Sequence, residues 1–216
     1  MTSHSNKNQR THKSNRKSEK SRHSKTQMGS FRVIGGTWRS RRLTFPAIEG
    51  LRPTTDRVKE TVFNWLSAYL PDAKALDLFA GSGSLGIEAL SRGAKSVTSI
   101  EKDQQAATAI QENYKLLAIQ ENLETKVLNT DALTWLSSFD KTLSNETFDV
   151  VFLDPPFRKG LLNDCLNYLE RHHLVNKGSI IYLEREKEAS DIVIPTSWNL
   201  LKEKEAGQVR YQLYEA

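Results

Sequence analysis

Five short apolar runs, four of them followed by stretches of helical periodicity, constrain the fold of this chain more than its composition does. The runs are residues 74–80 (KALDLFA), 96–103 (SVTSIEKD), 124–133 (ETKVLNTDAL), 148–153 (FDVVFL) and 179–186 (SIIYLERE). Each is too short to make a stable helix and is rich enough in β-branched and aromatic residues to be a strand. Between them lie GSGSLGIEALSRG, QQAATAIQENYKLLAI, a short stretch through Trp135 and Leu136, and LLNDCLNYLERHHLV, which carry helical spacing. Strands that alternate with helices must run mostly parallel, with helices covering both faces of the sheet. The last nineteen residues, WNLLKEKEAGQVRYQLYEA, break the alternation and predict an antiparallel hairpin turning near Gly207. The expectation is therefore an α/β fold, a Rossmann-like, doubly wound, mostly parallel seven-stranded sheet closed by a C-terminal antiparallel hairpin.

Two elements precede this sheet. FRVIGGTWRSRRLTF, residues 31–45, predicts a small β-hairpin around Gly35-Gly36 that returns through Trp38 and Leu43. LRPTTDRVKETVFNWLSAYL, residues 51–70, predicts an amphipathic helix. Pro53 breaks the chain, Thr55 or Asp56 caps, and Val58, Val62, Phe63, Leu66 and Leu70 recur on one face. Residues 1–27 contain no large apolar side chain and are expected to be disordered. This gives three segments: a basic tail (1–28), an N-terminal hairpin (29–50) and the α/β domain (51–216).

Charge is unevenly spread. The net charge is +5, yet residues 1–28 alone carry eight Lys/Arg against one acid and residues 29–60 seven against three, so the remainder is acidic. A basic end on an acidic body suits a polyanion gripped at one side. Arg32, Trp38, Arg39, Arg41 and Arg42 crowd the small hairpin. Guanidinium groups hold phosphates bidentately, and aromatic rings stack on bases. A solvated edge strand, charged against pairing, is the competing explanation of the same arginines. The tail is either a salt-sensitive RNA-binding arm, a solubilising tail or an extension ahead of a start at Met28. One cysteine, Cys165, permits no internal disulfide and no thiol cluster, so no metal is expected. With no apolar run of membrane length and no apolar segment at the N-terminus, the expected setting is cytoplasmic.

FDVVFLDPPF ends its strand on Asp154, Pro155, Pro156 and Phe157. Two prolines cannot continue a ladder, so the chain must turn out rigidly at the strand's carboxyl end. Ligands of open α/β sheets bind there. An acid and an aromatic ring on a rigid turn are suited to something flat and polar.

The first strand runs into Gly81-x-Gly83-x-x-Gly86, with Glu101 twenty residues beyond Gly81. This spacing fits a dinucleotide fingerprint, with glycines for the turn and a carboxylate for ribose hydroxyls. Asp77 shifts the balance. Its carboxylate lies inside the strand that delivers the loop, where it would repel a pyrophosphate and attract a cation. Asp77, Glu101, Asp131 and Asp154 stand at or near the ends of four consecutive strands. That rim suits S-adenosylmethionine, which carries a sulfonium and an ammonium, better than a nicotinamide dianion.

At this point the resemblance to a family is plain. DLFAGSGSLGIEAL resembles the first motif of class I S-adenosylmethionine-dependent methyltransferases, and DPPF the motif of those that methylate exocyclic amino groups. RVIGGTWRSRRL, LRPTTDRVKETVFNWL and LDLFAGSGSLGIEALSRGA, in this order, closely resemble the RsmD family. Its enzymes methylate the N2 amino group of one guanine in bacterial 16S ribosomal RNA. The resemblance spans roughly residues 31–214; the tail before Met28 is not part of it. It implies that Gly81 and Gly83, with Asp77 and Phe79, meet the cofactor's methionine end. Glu101 would hold the ribose hydroxyls and Asp131 the adenine amino group, with Lys102 and Ala132 flanking the adenine. Arg52 and Thr54 would close over the amino-acid carboxylate. The expected partner is 16S rRNA, in the small subunit or an assembly intermediate, and the expected working form is a monomer.

The chemistry of DPPF fits that resemblance. A guanine amino nitrogen is a poor nucleophile because its lone pair is delocalised into the ring. Asp154 and the carbonyl of Pro155 can accept its two N–H bonds and stabilise positive charge as it develops, while Phe157 stacks on the base. The base must be unpaired or flipped to enter. An adenine or protein glutamine methyltransferase, a nicotinamide reductase and a non-catalytic RNA-binding module are the competing readings. His172 and His173, remote from the rim in sequence, are expected to be helical surface residues.

Overall fold

The computed structural model describes residues 1–2, 28–48, 51, 54–118, 123–139, 145–189 and 191–216. The expected tail therefore lies almost wholly outside the described residues, as does Arg52.

The parallel sheet follows from the apolar runs. In chain order its strands are β3 (Lys74–Asp77), β4 (Ser96–Glu101), β5 (Glu124–Asn129), β6 (Phe148–Leu153), β7 (Val175–Glu186), β8 (Asn199–Ala206) and β9 (Val209–Glu215). They assemble in the spatial order β5-β4-β3-β6-β7-β9-β8, parallel from β5 to β7 and antiparallel through β9 and β8. The order reverses between β3 and β6. From β3 the chain builds outward through β4 and β5, then crosses back to lay β6 on the other side of β3. A crevice opens outside the carboxyl ends of two strands wherever this reversal occurs. Here those ends carry the glycine loop and the Asp154 turn.

Among the described residues five helices cover the sheet: α1 (Asp56–Trp65), α2 (Ser84–Ser91), α3 (Gln104–Ala118), α4 (Ala132–Ser138) and α5 (Leu162–Arg171). Successive strand residues point to opposite faces, and the core divides accordingly. On one face Ala75, Val97, Val150, Phe152, Ile180 and Tyr182 pack under α1, α2 and α3. On the other Leu76, Ile100, Val151, Leu153, Ile181 and Leu183 pack under α4 and α5. Phe152 and Val151 are each fully buried. At roughly 1.5–3 kcal/mol per buried side chain, this two-sided apolar run fixes the position of β6, and so of the turn that follows it.

The N-terminal hairpin, β1 (Met28–Arg32) paired antiparallel with β2 (Arg42–Pro46), forms its own two-stranded sheet. Its inner residues Phe31, Val33, Trp38, Leu43 and Phe45 belong to the first-face core. The loop is latched to α2 through side chains that sequence reading left unassigned. Glu88, fully buried, accepts from the amides of Ile34 (2.7 Å) and Gly35 (2.8 Å) and pairs with Arg92 (2.8 Å). The Ser91 hydroxyl donates to the carbonyl of Gly35 (2.6 Å) and accepts from the amide of Trp38 (2.9 Å). Gly36 sits at φ +75° with its α-carbon against the Ser91 carbonyl, leaving no room for a β-carbon. This explains the Gly-Gly pair better than hairpin turning does: the second glycine permits close backbone approach.

Trp38 is a correction to the expectation from sequence. Its ring is buried, 4% exposed, within the core under the latch, so it is not available to stack on a base. A second difference concerns the paired histidines. Helix α5 ends at Arg171, His172 caps it, and the half-buried His172 ring stacks flat on Tyr168 at 5.6 Å.

Candidate active site

The glycine loop leaves β3 through a tight turn in which the Gly83 amide donates to the Ala80 carbonyl (2.7 Å). Gly83 then caps α2 with φ +76°, and a β-carbon there would press on Ile110 at 2.9 Å. Gly86 lies one turn in, where a β-carbon would meet the Tyr114 hydroxyl at 2.6 Å and Val97 at 3.0 Å. The three glycines thus serve different needs, with Gly83 for the turn and Gly86 for close packing of α2 on β4 and α3. At Gly81 an added carbon would meet the Phe79 carbonyl at 3.8 Å and Leu51 at 3.9 Å, ordinary contacts, so there the constraint is the φ of +54° rather than crowding.

Beneath this loop Asp77 is 1% exposed, and neither carboxylate oxygen has a hydrogen-bond partner among the described residues. Burial pushes its carboxyl up to about 7. The amides of Gly86 and Phe79 pull it back without making a bond of ordinary geometry, and the charge of Glu101 adds to the rise. An orphaned buried carboxylate is expensive.

Glu101 ends β4 and is nearly buried. It accepts from the Gly81 amide through Oε2 (2.7 Å) and from the Asp103 amide through Oε1 (2.7 Å). Burial raises its carboxyl, and these two amides work against the rise. Each oxygen keeps a second lone pair for an outside donor. Asp131, exposed after β5, caps α4: its Oδ1 accepts from Leu133 (3.0 Å) and Thr134 (3.1 Å). Ala132 is buried beside it, while Lys102 is exposed between the two acids and Phe79 is half-buried in the approach to the loop.

Asp154 follows β6 and is half-buried, one strand from Asp77. Its carboxyl is held well above the usual range by burial first, then by the charges of Glu184 and Asp77; a hydrogen bond from the Thr54 hydroxyl (3.4 Å) opposes them. Thr54 therefore meets the acid of the DPPF turn directly, while Leu51 lies by the glycine loop. Pro155 is buried, Pro156 exposed, and the ring of Phe157 is 42% exposed beside the crevice.

The sequence-predicted acids do converge, but the row they form includes one more. Across adjacent strands it reads Asp131, Glu101, Asp77, Asp154 and Glu184, from β5 to β7. Glu184 is 8% exposed and accepts from the Tyr182 hydroxyl (2.6 Å). Its signal was present in SIIYLERE, where a strand again ends among acids. Glu184 and Glu186 share a face of β7, and strand register decides which of them stands level with Asp154.

The hairpin arginines split. Arg32 is paired with Asp56 at 3.1 Å, at the start of α1, and its carbonyl accepts from the buried Lys59 ammonium at 2.7 Å. Arg39, Arg41 and Arg42 are exposed, and no ion pair to them is found among the described residues.

Sheet order, glycine loop and acid rim together define a Rossmann-like α/β protein with a cofactor crevice at its switch point, in the architecture shared by class I methyltransferases. The family described as Conserved hypothetical protein 95 matches residues 31–215. The chain belongs to this family, the RsmD family that its motifs resemble. It is 45% identical to the Ribosomal RNA small subunit methyltransferase D of Escherichia coli (strain K12), over 87% of this chain and 90% of that protein. The protein of the same name from Haemophilus influenzae is 44% identical, over 87% of this chain and 94% of its own length. Among solved structures, the "Putative methyltransferase yhhF from Escherichia coli" superposes with a TM-score of 0.76 at 41% identity, covering 87% of this chain and 98% of that one.

Proposed function

We propose that the protein transfers a methyl group from S-adenosylmethionine to the exocyclic N2 of one guanine in the 16S RNA of the small ribosomal subunit. The observation that carries this reading is the pairing of Asp77 with Asp154 across the switch point. One is a buried acid beneath the glycine loop, without a hydrogen-bond partner among the described residues; the other is an acid on a rigid Pro-Pro-Phe turn.

The residues present fit the cofactor. Asp77 has no hydrogen-bond partner among the described residues, and a sulfonium or ammonium nearby would supply a counter-charge. Glu101 keeps lone pairs for ribose hydroxyls, and Asp131 has Oδ2 left for an adenine amino group after capping α4. When bound, the cofactor supplies an electrophilic methyl group. Thr54, with Arg52, would close the segment before α1 over the amino-acid end.

The chain's own work is orientation and charge stabilisation. Asp154 and the Pro155 carbonyl accept the two hydrogens of the guanine amino group, favouring a tetrahedral nitrogen. Preorganised contacts of this kind are each worth about 2.7–4 kcal/mol of barrier. Phe157 stacks on the base and aims its nitrogen along the line of attack. Thr54 holds Asp154 in place. The hairpin, residues 29–50, offers Arg39, Arg41 and Arg42 to RNA phosphates, and residues 51–216 form the methyl-transferring domain. The substrate is the subunit or an assembly intermediate, met by a monomer in the cytoplasm.

Mapping N2-methylguanosine in small-subunit RNA from cells with and without this protein tests the reading. One modified guanine should vanish in its absence and return when purified protein and S-adenosylmethionine are added to the undermethylated subunits. An unchanged map would overturn the guanine assignment.

A further inference from the structure

Glu184 is unexplained by cofactor binding. It lies in β7, whereas the glycine loop and Glu101 belong to β3 and β4 on the other side of Asp154. If the cofactor sits over β3 and β4, the acceptor base must approach over β6 and β7. Leu153 pairs with Leu183 in parallel register, so Asp154 and Glu184 are the next pair at the strand ends, roughly 4.8 Å apart in backbone. Glu184 shares a face with Tyr182, which packs edge-on against Phe152 at 6.2 Å. The Tyr182 hydroxyl, on a fully buried ring, fixes Glu184 by Oε2.

Placing a second carboxyl beside Asp154 in a nearly buried position is costly, and burial raises the Glu184 carboxyl accordingly. A glutamine would satisfy the Tyr182 hydroxyl without that cost, so the charge itself calls for a use. Guanine provides one. Its N2 amino group stands beside N1–H, a second donor on the same edge. In adenine the amino group stands beside a bare N1 that only accepts. Flipped bases are read by hydrogen bonds to this edge.

We propose that Glu184 accepts the N1–H of the guanine whose amino group rests on Asp154, and thereby selects guanine over aminopurines with an unprotonated N1. Tyr182 is the positioning residue that aims it. This assignment rests on the guanine reading above and names the group that makes the site guanine-specific. A carboxylate facing the N1 lone pair of adenine would meet repulsion and leave both groups without a partner.

The test uses small subunits reconstituted around ligated RNA carrying either guanine or 2-aminopurine at the mapped position. 2-Aminopurine keeps the amino group and has a bare N1. Wild-type protein should prefer guanine in kcat/KM by about 10²-fold or more, since sites built around a substrate donor reject analogues lacking it by up to about 10⁴–10⁵. Glu184→Gln places an N–H donor at the site, so guanine turnover should fall and the preference collapse by at least about tenfold, towards 2-aminopurine. Tyr182→Phe, which keeps the charge but loses the aim, should erode the preference to an intermediate value. Calorimetry with S-adenosylmethionine reports whether each variant is folded. If Glu184→Gln lowers both substrates equally or retains full preference for guanine, the proposal fails. Should that variant fail to fold, an unchanged preference in Tyr182→Phe overturns it instead. Failure of the underlying reading would show separately, as no N2 methylation of guanine subunits by the wild type.

Discussion

Replacing Asp77 by asparagine should make the ligand-free protein more stable at neutral pH while weakening its hold on S-adenosylmethionine. The carboxyl has an ordinary value of 3.8 and stands at about 7 in the folded protein. Because the folded value is raised, stability is fullest below about pH 4 and is lost as pH climbs through about 7. At 1.36 kcal/mol per pH unit, the full loss is about 4 kcal/mol, of which more than half falls between pH 5 and pH 8. Asparagine keeps the shape of the side chain and cannot ionise. Urea denaturation of ligand-free wild type and Asp77→Asn at pH 5 and pH 8 measures the difference directly. The variant should gain on the order of 2–3 kcal/mol on the wild type over that interval. Calorimetry at pH 8 should show its cofactor affinity reduced at least about tenfold, since the buried counter-charge is gone. In the wild type, cofactor uptake should release protons near pH 6.5, because a cation favours the ionised acid. A variant that tracks the wild type at both pH values, or binds the cofactor equally well, would refute the placement of a cation over Asp77.

Four further outcomes test the rest of the site. Asp154→Ala should lower methyl transfer by about 10²-fold or more while leaving cofactor affinity within a few-fold, read by radiolabelled transfer and calorimetry. Because burial and neighbouring acids hold the Asp154 carboxyl high, wild-type kcat/KM should rise with pH across that elevated value, and a flat profile would contradict an ionised acceptor. Gly36→Ala cannot keep φ +75° and its contact with Ser91 without strain, so the hairpin should detach. The expected readouts are a stability loss of at least about 2 kcal/mol and weaker RNA binding with cofactor binding intact. Changing Arg39, Arg41 and Arg42 together to Gln should weaken RNA binding at low salt and flatten the salt dependence by a slope of about 2–3 in log–log form. An unchanged slope would return these arginines to the role of edge-strand charges.

Much of the molecule was legible from residue order. Runs such as FDVVFL, buried on both faces, could only be central parallel strands, and the helices between them followed from periodicity. Thr55 caps α1 through its side-chain bond to the amide of Val58, as the Thr-Thr-Asp sequence suggested. The terminal hairpin turns at Gly207 as its spacing required. Local chemistry decides such features, because a cap or a turn involves only neighbours in the chain. Strand limits were less legible: residues 74–80 looked like one strand, but β3 ends at Asp77 and the next residues already turn towards the glycine loop.

What the sequence alone determined is the kind of crevice: a glycine loop, a ladder of acids and a rigid Asp-Pro-Pro-Phe turn at the ends of parallel strands. Each is a local pattern, set by dihedral limits and by two-sided burial. What only the tertiary structure decided is how distant pieces meet. Trp38 read as an RNA-stacking ring because arginines surround it in sequence, yet Glu88 and Ser91, more than fifty residues on, pull its loop onto α2 and bury it. Glu184 passed unnoticed because its value depends on the register of β6 against β7, which sets it beside Asp154. Residue spacing along one strand fixes which side chains share a face. Pairing between strands fixes which of them share a site, and that is a property of the packed sheet alone.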